Sequence, residues 1–178
     1  VDGPGGKAEA ERRVAAFDRE RVWSRAKRIL SREPCADGTR GGSPRIDVYL
    51  VQSSARDADP ELTEQLGSRQ GLTTPHAGQW RATCGGSPAF ILVRQGLSDV
   101  DGDMALAHEV FHAFQFAYPA EGPLLIGGGP DENGWYTEST AEYFADSVYH
   151  AAWPLLAGEH SAPWNTRVRY GSIVGPLD

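Results

Sequence analysis

Hydrophobic and polar positions divide the chain into a helical front, a strand-rich middle and two further helices. From Lys7 to about Arg32 there is neither Gly nor Pro, and Ala10, Val14, Phe17, Ala26 and Ile29 recur at roughly helical spacing. Val22, Trp23 and Leu30 broaden that stripe, so the pattern predicts one long N-terminal surface helix within residues 1–33. Pro34 and the Gly38–Pro44 cluster end it. Ile46–Val51 alternates into a continuous apolar end, as a strand buried on at least one face does. Residues 52–79 are the least periodic: Asp59-Pro60 opens a short helix through Leu66, and the remainder, with Gly67, Gly71, Pro75 and Gly78, reads as loop. Trp80–Cys84 and Ala89–Arg94 flank a Gly-Gly-Ser-Pro turn, which predicts a hairpin-like pair with a half-polar edge strand and a buried partner. Ser98, Asp99 and Asp101 each suit the N-cap of a helix from about Asp103 to Ala117, because Pro119 disfavours helix at the residue before it. A Gly/Pro-rich loop from Glu121 to Gly134 leads to a last helix, about Trp135 to Ala152, which Pro154 ends. The expectation is a single α+β domain over 1–178, with strands and a helix in 46–118 and a second helix in 134–152.

Composition narrows the class. A chain of 178 residues, 40% hydrophobic and 23% charged, is of the size and balance of one globular domain. No apolar run approaches the ~20 residues that span a bilayer. The net charge of −7 argues against nucleic acid as the main partner. That charge is uneven: residues 7–32 hold nine basic and four acidic side chains, a net +5, which leaves −12 for the rest. A solvated helix face explains the basic segment most simply, and docking of an acidic partner is the alternative. Cys35 and Cys84 match no zinc spacing; each precedes an apolar strand, so a disulfide is favoured over two buried thiols and implies an oxidising, extracytoplasmic compartment. The 15 Arg against 2 Lys is the bias of a high-GC bacterial genome. The abrupt end at Gly171–Asp178 leads us to expect further chain after it.

The chemistry is concentrated in His108-Glu109-Val110-Phe111-His112. Residues four apart on an α-helix differ by about 40° in direction, so both imidazoles point to one side and can share a metal. Glu109 is rotated by about 100° and sits at the flank of that metal without being a ligand. Chance gives this pattern only ~0.01 times in a chain of this composition. Met104, Leu106, Ala107, Val110, Phe111, Ala113, Phe114 and Phe116 make the helix apolar nearly all round, and an unpaired polar cluster there would be costly. Downstream, Glu138, Glu142 and Asp146 form a carboxylate stripe at four-residue spacing. An antiparallel second helix would bring Glu138 to the metal as third ligand, and Glu142 would accept the free N–H of a ligand histidine. Asp146 is more simply a solvated position.

His-Glu-Val-Phe-His followed by Trp-Tyr-Thr-Glu138-Ser-Thr-Ala-Glu-Tyr-Phe resembles the gluzincin metallopeptidases, especially small bacterial members and the catalytic cores of bacterial collagenases. Ser139 stands where that family often has Gly. The resemblance covers about residues 80–150. It implies zinc held by His108, His112 and Glu138, with Glu109 as general base and acid. It also implies a small mixed β-sheet whose antiparallel edge strand binds extended substrate, an edge we place at Gln79, Trp80, Arg81, Ala82 and Thr83. The oxyanion donor in such enzymes is a Tyr or His beyond the Glu helix; Tyr170 is the first choice, with His150, Tyr149 and His160 behind it.

The leading expectation is therefore a zinc-dependent metallopeptidase acting on peptide or protein substrates outside the cytoplasm. A non-catalytic zinc-containing scaffold domain is the alternative, against which the intact Glu109 speaks. A basic-helix interaction module is a third, with the metal site serving only stability.

Overall fold

A computed structural model describes residues 4–38, 42–52, 60–76, 84–118 and 134–149. Along the chain these form α1 (Pro4–Arg19), α2 (Val22–Leu30), β1 (Val48–Val51), α3 (Pro60–Leu66), β2 (Gly71–Pro75), β3 (Ala89–Arg94), α4 (Asp99–Gln115) and α5 (Gly134–Tyr149). The fold is α+β with a small mixed sheet, in strand order β1-β3-β2. β1 pairs parallel to β3 in the register Val48↔Ile91, and β2 pairs antiparallel to it in the register Leu72↔Leu92. Central β3 is buried on both faces: Ile91 and Val93 join the core under α4, while Leu92 packs with Val51 and Leu66 on the α3 side.

The single N-terminal helix predicted from the sequence is two. Arg21 takes a left-handed conformation with φ 55°, breaking the helix between Arg19 and Val22. Burial explains the break. α1 buries Glu9, Arg13 and Ala16, whereas α2 buries Val22 and Ala26. On one continuous helix the second stripe would lie about 125° away from the first, so the turn rotates it back onto the body. The predicted stripe is corrected too, for Val14 and Ile29 are more than half exposed.

β2 is the second departure. Residues 71–75 read as loop because three strand-forming residues between a Gly and a Pro carry no measurable period; Pro at the end of an edge strand forfeits no ladder hydrogen bond. The anticipated edge strand at Gln79–Thr83 lies outside the described residues. Among those described, β2 holds the antiparallel place beside β3.

α4 begins where the capping residues allow. Ser98 accepts the Asp101 amide at 3.1 Å, and Asp99 and Asp101 occupy the first turn, favourable for the helix dipole. The helix is enclosed by the sheet, by α5 through stacked Phe111 and Phe144 with centroids 4.6 Å apart, and by α2 through Trp23 edge-on to Phe114 at 4.8 Å. Enclosure on several sides accounts for its apolar character. No helix among the described residues is long and apolar enough to cross a membrane.

Cys35 and Cys84 are disulfide-bonded, with Cα atoms 5.6 Å apart, and the two strands that follow them are parallel neighbours. The bridge spans 49 residues of sequence, a long loop for the unfolded chain to close. Replacing both cysteines by Ser should lower unfolding free energy by about 2–4 kcal/mol, measured as a shifted urea midpoint.

Candidate metal centre

α4 and α5 pack side by side and present their polar residues to each other. The Nε2 atoms of His108 and His112 are 2.9 Å apart, and Oε2 of Glu138 lies 3.2 Å from the first and 3.5 Å from the second. A tetrahedral ion with ligands at about 2.0–2.1 Å requires ligand–ligand edges of about 3.3–3.4 Å. Two of the three edges fall within about 0.2 Å of that triangle and the edge between the histidines is about 0.4 Å shorter, and the group could hold a metal ion. Glu138 is 66% exposed against 17% for His108 and 9% for His112, so the centre is walled by the histidines and open on the carboxylate side.

Each imidazole is oriented from behind. Nδ1 of His108 bonds Oε2 of Glu142 at 3.1 Å, and Nδ1 of His112 bonds Oε1 of Gln115 at 2.7 Å. Both acceptors hold the proton on Nδ1 in the neutral ring and leave the Nε2 lone pair facing the centre. Fully buried Gln115 also donates its amide N–H to the Thr137 carbonyl at 3.2 Å and to Thr140 Oγ1 at 2.9 Å. It thus joins His112 to the turn of α5 that carries Glu138. Gln115→Leu should weaken metal binding about 10–100-fold, read by competition with a chromogenic chelator.

Glu109 lies beside the triangle with its carboxylate fixed. The Thr73 hydroxyl is 2.7 Å from Oε2 of Glu109 and 2.7 Å from its backbone carbonyl, donating to one of them at a time. Gly71 makes room: a Cβ there would fall 2.5 Å from Cγ of Glu109. These groups line a cleft of about 480 Å³ together with Leu72 and Glu142.

The electrostatics are those of a cation site. Burial disfavours a charged His108, but its hydrogen bonds to Glu138 and Glu142 and the nearby Glu109 charge outweigh it, pushing the imidazole up to about 10. Hydrogen bonds from His108 and His112 hold Glu138 far below the usual carboxylate range despite partial burial.

The structure therefore brings together five of the residues singled out in the sequence: His108, Glu109, His112, Glu138 and Glu142. Tyr170, His150, His160 and Gln79–Thr83 lie outside the described residues. Tyr149 is buried three turns beyond Glu138, where Asp103 and Glu20 are its charged neighbours. Sequence reasoning missed Gln115, Thr73 and Gly71. Only Gln115 carried a signal, as a polar residue three positions after His112 in an otherwise apolar run. The basic N-terminal surplus is partly absorbed: Lys7, Arg12, Arg13, Arg19 and Lys27 all pair with carboxylates, and Arg32 bonds the Ala117 carbonyl and lies over Tyr118. Compared with known proteins, the chain matches no protein-family model, no curated protein and no solved structure.

Proposed function

We propose that this chain is a zinc-dependent metallopeptidase domain of gluzincin type, with His108, His112 and Glu138 as ligands and Glu109 as general base. The observation that carries the reading is a carboxylate, Glu109, held beside a three-donor triangle but outside it, on a cleft with an open side. A purely structural metal has no use for such a group, since structural sites close all four positions with protein ligands. Zinc, when bound, supplies Lewis acidity toward a carbonyl oxygen and makes a water more acidic. Glu109 takes a proton from the attacking water and delivers it to the leaving amine. Thr73 holds the carboxylate oriented while it does so. The outer edge of β2, within the same cleft, is where an extended peptide would add as a further strand. The disulfide fits a protein that works outside the reducing cytoplasm.

Metal loading gives the direct test, and its pH dependence follows from His108. In the metal-free fold His108 has a pKa raised to about 10, so its imidazolium stabilises the fold fully below the unfolded value of about 6.5. That contribution is lost as pH rises through about 10. A metal requires the neutral ring, so binding at pH 7.5 should release close to one proton and tighten as pH rises. Calorimetry in buffers of different ionisation enthalpy measures the release. One equivalent of zinc, with cleavage of a quenched peptide that a chelator abolishes, is the expected result. Zinc without cleavage would instead favour the scaffold reading, and no zinc would overturn the ligand assignment.

A further inference from the structure

The basic residues of the two N-terminal helices divide into two sets. Lys7, Arg12, Arg13, Arg19 and Lys27 pair with carboxylates, and Arg32 is held by the Ala117 carbonyl. The remainder of the surplus is Arg21, Arg25 and Arg28, and all of it falls on one face of α2. At 100° per residue, positions i, i+4 and i+7 lie within a sector of about 60°. With Ser24, the three arginines line one open hollow of about 540 Å³. Arg21 and Arg28 are exposed and Arg25 is half-buried. The Arg21 carbonyl accepts the Ser24 hydroxyl at 3.1 Å and the Arg25 amide at 3.0 Å, which fixes the start of the stripe.

Arg21 holds a left-handed backbone conformation, φ 55°, which costs any residue with a Cβ and which Gly adopts freely. The turn by itself therefore gives no reason for a long cationic side chain at this position. What that side chain supplies is a third guanidinium beside those of Arg25 and Arg28. On a chain of net charge −7 the three form a local positive site in a negative field. Each guanidinium presents a planar fork of N–H donors that matches a carboxylate.

Shape selects among anionic partners. The stripe is one side chain wide and about 10 Å long, the rise of seven helical residues. An extended segment of three or four residues covers it, at about 3.3 Å per residue. A flat anionic surface would also press against Glu20 and Glu33, which stand at either end of α2. Ile29, one turn past Arg25, is more than half exposed and offers an apolar contact beside the charges.

We propose that Arg21, Arg25 and Arg28 are a docking site for an acidic polypeptide segment that carries two or three carboxylates within about four residues. The site shares no residue with the metal-centre cleft and does not depend on what that centre does. α2 packs on α4 through Trp23 and Phe114, and Phe114 lies about 120° or more around α4 from His108 and His112. A docked segment thus approaches from the side of α4 away from the histidines.

The test is fluorescence anisotropy of the full chain at low ionic strength and pH 7.5 with a labelled Glu-rich peptide. Wild type should bind it, bind a Gln-rich counterpart far more weakly, and release it as salt is raised. Arg21→Gln, Arg25→Gln and Arg28→Gln combined should lower affinity about tenfold or more. Lys7→Gln with Arg12→Gln, which removes exposed cations of α1, should change it by less than about twofold. Arg21→Gly guards against a folding defect. It relieves the left-handed turn, so the thermal midpoint should hold or rise while affinity falls about twofold or more. A triple variant that binds like wild type overturns the assignment, as does an equal loss in the α1 control. So does a wild type that ignores the peptide, including one that binds vesicles of equal phosphatidylserine and phosphatidylcholine instead, because the stripe would then be a membrane contact.

Discussion

Glu109→Gln should leave one metal ion bound and lower peptide hydrolysis about 10²–10⁴-fold. The substitution keeps the size and hydrogen-bonding shape of the side chain, so the 2.7 Å contact with Thr73 and the fit over Gly71 persist. What it removes is the ability to take and return a proton. Because Glu109 is not one of the three donors, metal content should match wild type, which separates this variant from any change at His108, His112 or Glu138. The loss should fall on kcat, with KM little altered, since the proton transfer belongs to the transition state and not to substrate binding. Metal analysis and steady-state kinetics on the same preparation measure both. Activity within tenfold of wild type would remove Glu109 from the base role. Activity lost together with the metal would show that the carboxylate supports the ligands rather than the reaction.

Much of this centre was legible because helical geometry is local. His108 and His112 share a face by their spacing alone, and Glu138 and Glu142 repeat that spacing on the second helix. Once α4 and α5 pack together, the pairs Glu138–His108 and Glu142–His108 follow. Residues that reach the centre from elsewhere left no such trace. Thr73 and Gly71 matter only because β2 passes along α4, and a five-residue strand that begins at a Gly and ends at a Pro has too short a pattern to declare itself. The broken N-terminal helix failed for a related reason. Its apolar stripe was read as the buried face, yet α1 turns Glu9 and Arg13 inward and leaves Val14 outside. No hydrophobic pattern can anticipate a buried ion network, because its partner, Asp103, is 90 positions away.

That network carries the largest expected effect on stability: Arg13→Ala should cost about 3–5 kcal/mol. The Arg13 side chain is 3% exposed, and those of Glu9 and Asp103 are 7% exposed. The guanidinium donates from Nε to Glu9 at 3.0 Å, from Nη1 to Asp103 at 3.3 Å and from Nη2 to the Leu97 carbonyl at 3.2 Å. Glu9 also accepts the Gly96 amide at 3.1 Å. Truncating Arg13 strands two buried carboxylates, whereas replacing Glu9, Arg13 and Asp103 together by apolar residues of similar volume should be nearly neutral. Asp103 supplies an internal check. Burial already raises its pKa, with Arg13 opposing the shift, so removing Arg13 should raise it further. A carboxyl whose folded pKa lies above its unfolded value favours the fold when protonated and disfavours it as pH rises through the folded value. Arg13→Ala should therefore recover stability on mild acidification, and urea midpoints at pH 5 and pH 7.5 measure the difference. The effect should extend to the metal. Arg13 lies over Gly102 so closely that a Cβ there would collide with the guanidinium, and Gly102 sits in the opening turns of the helix that displays His108 and His112. Gly102→Ala improves intrinsic helix propensity by about 1 kcal/mol and should nonetheless destabilise the protein, because Arg13 must leave its carboxylates to make room. A Gly102→Ala variant more stable than wild type would show that Arg13 is not needed where it stands.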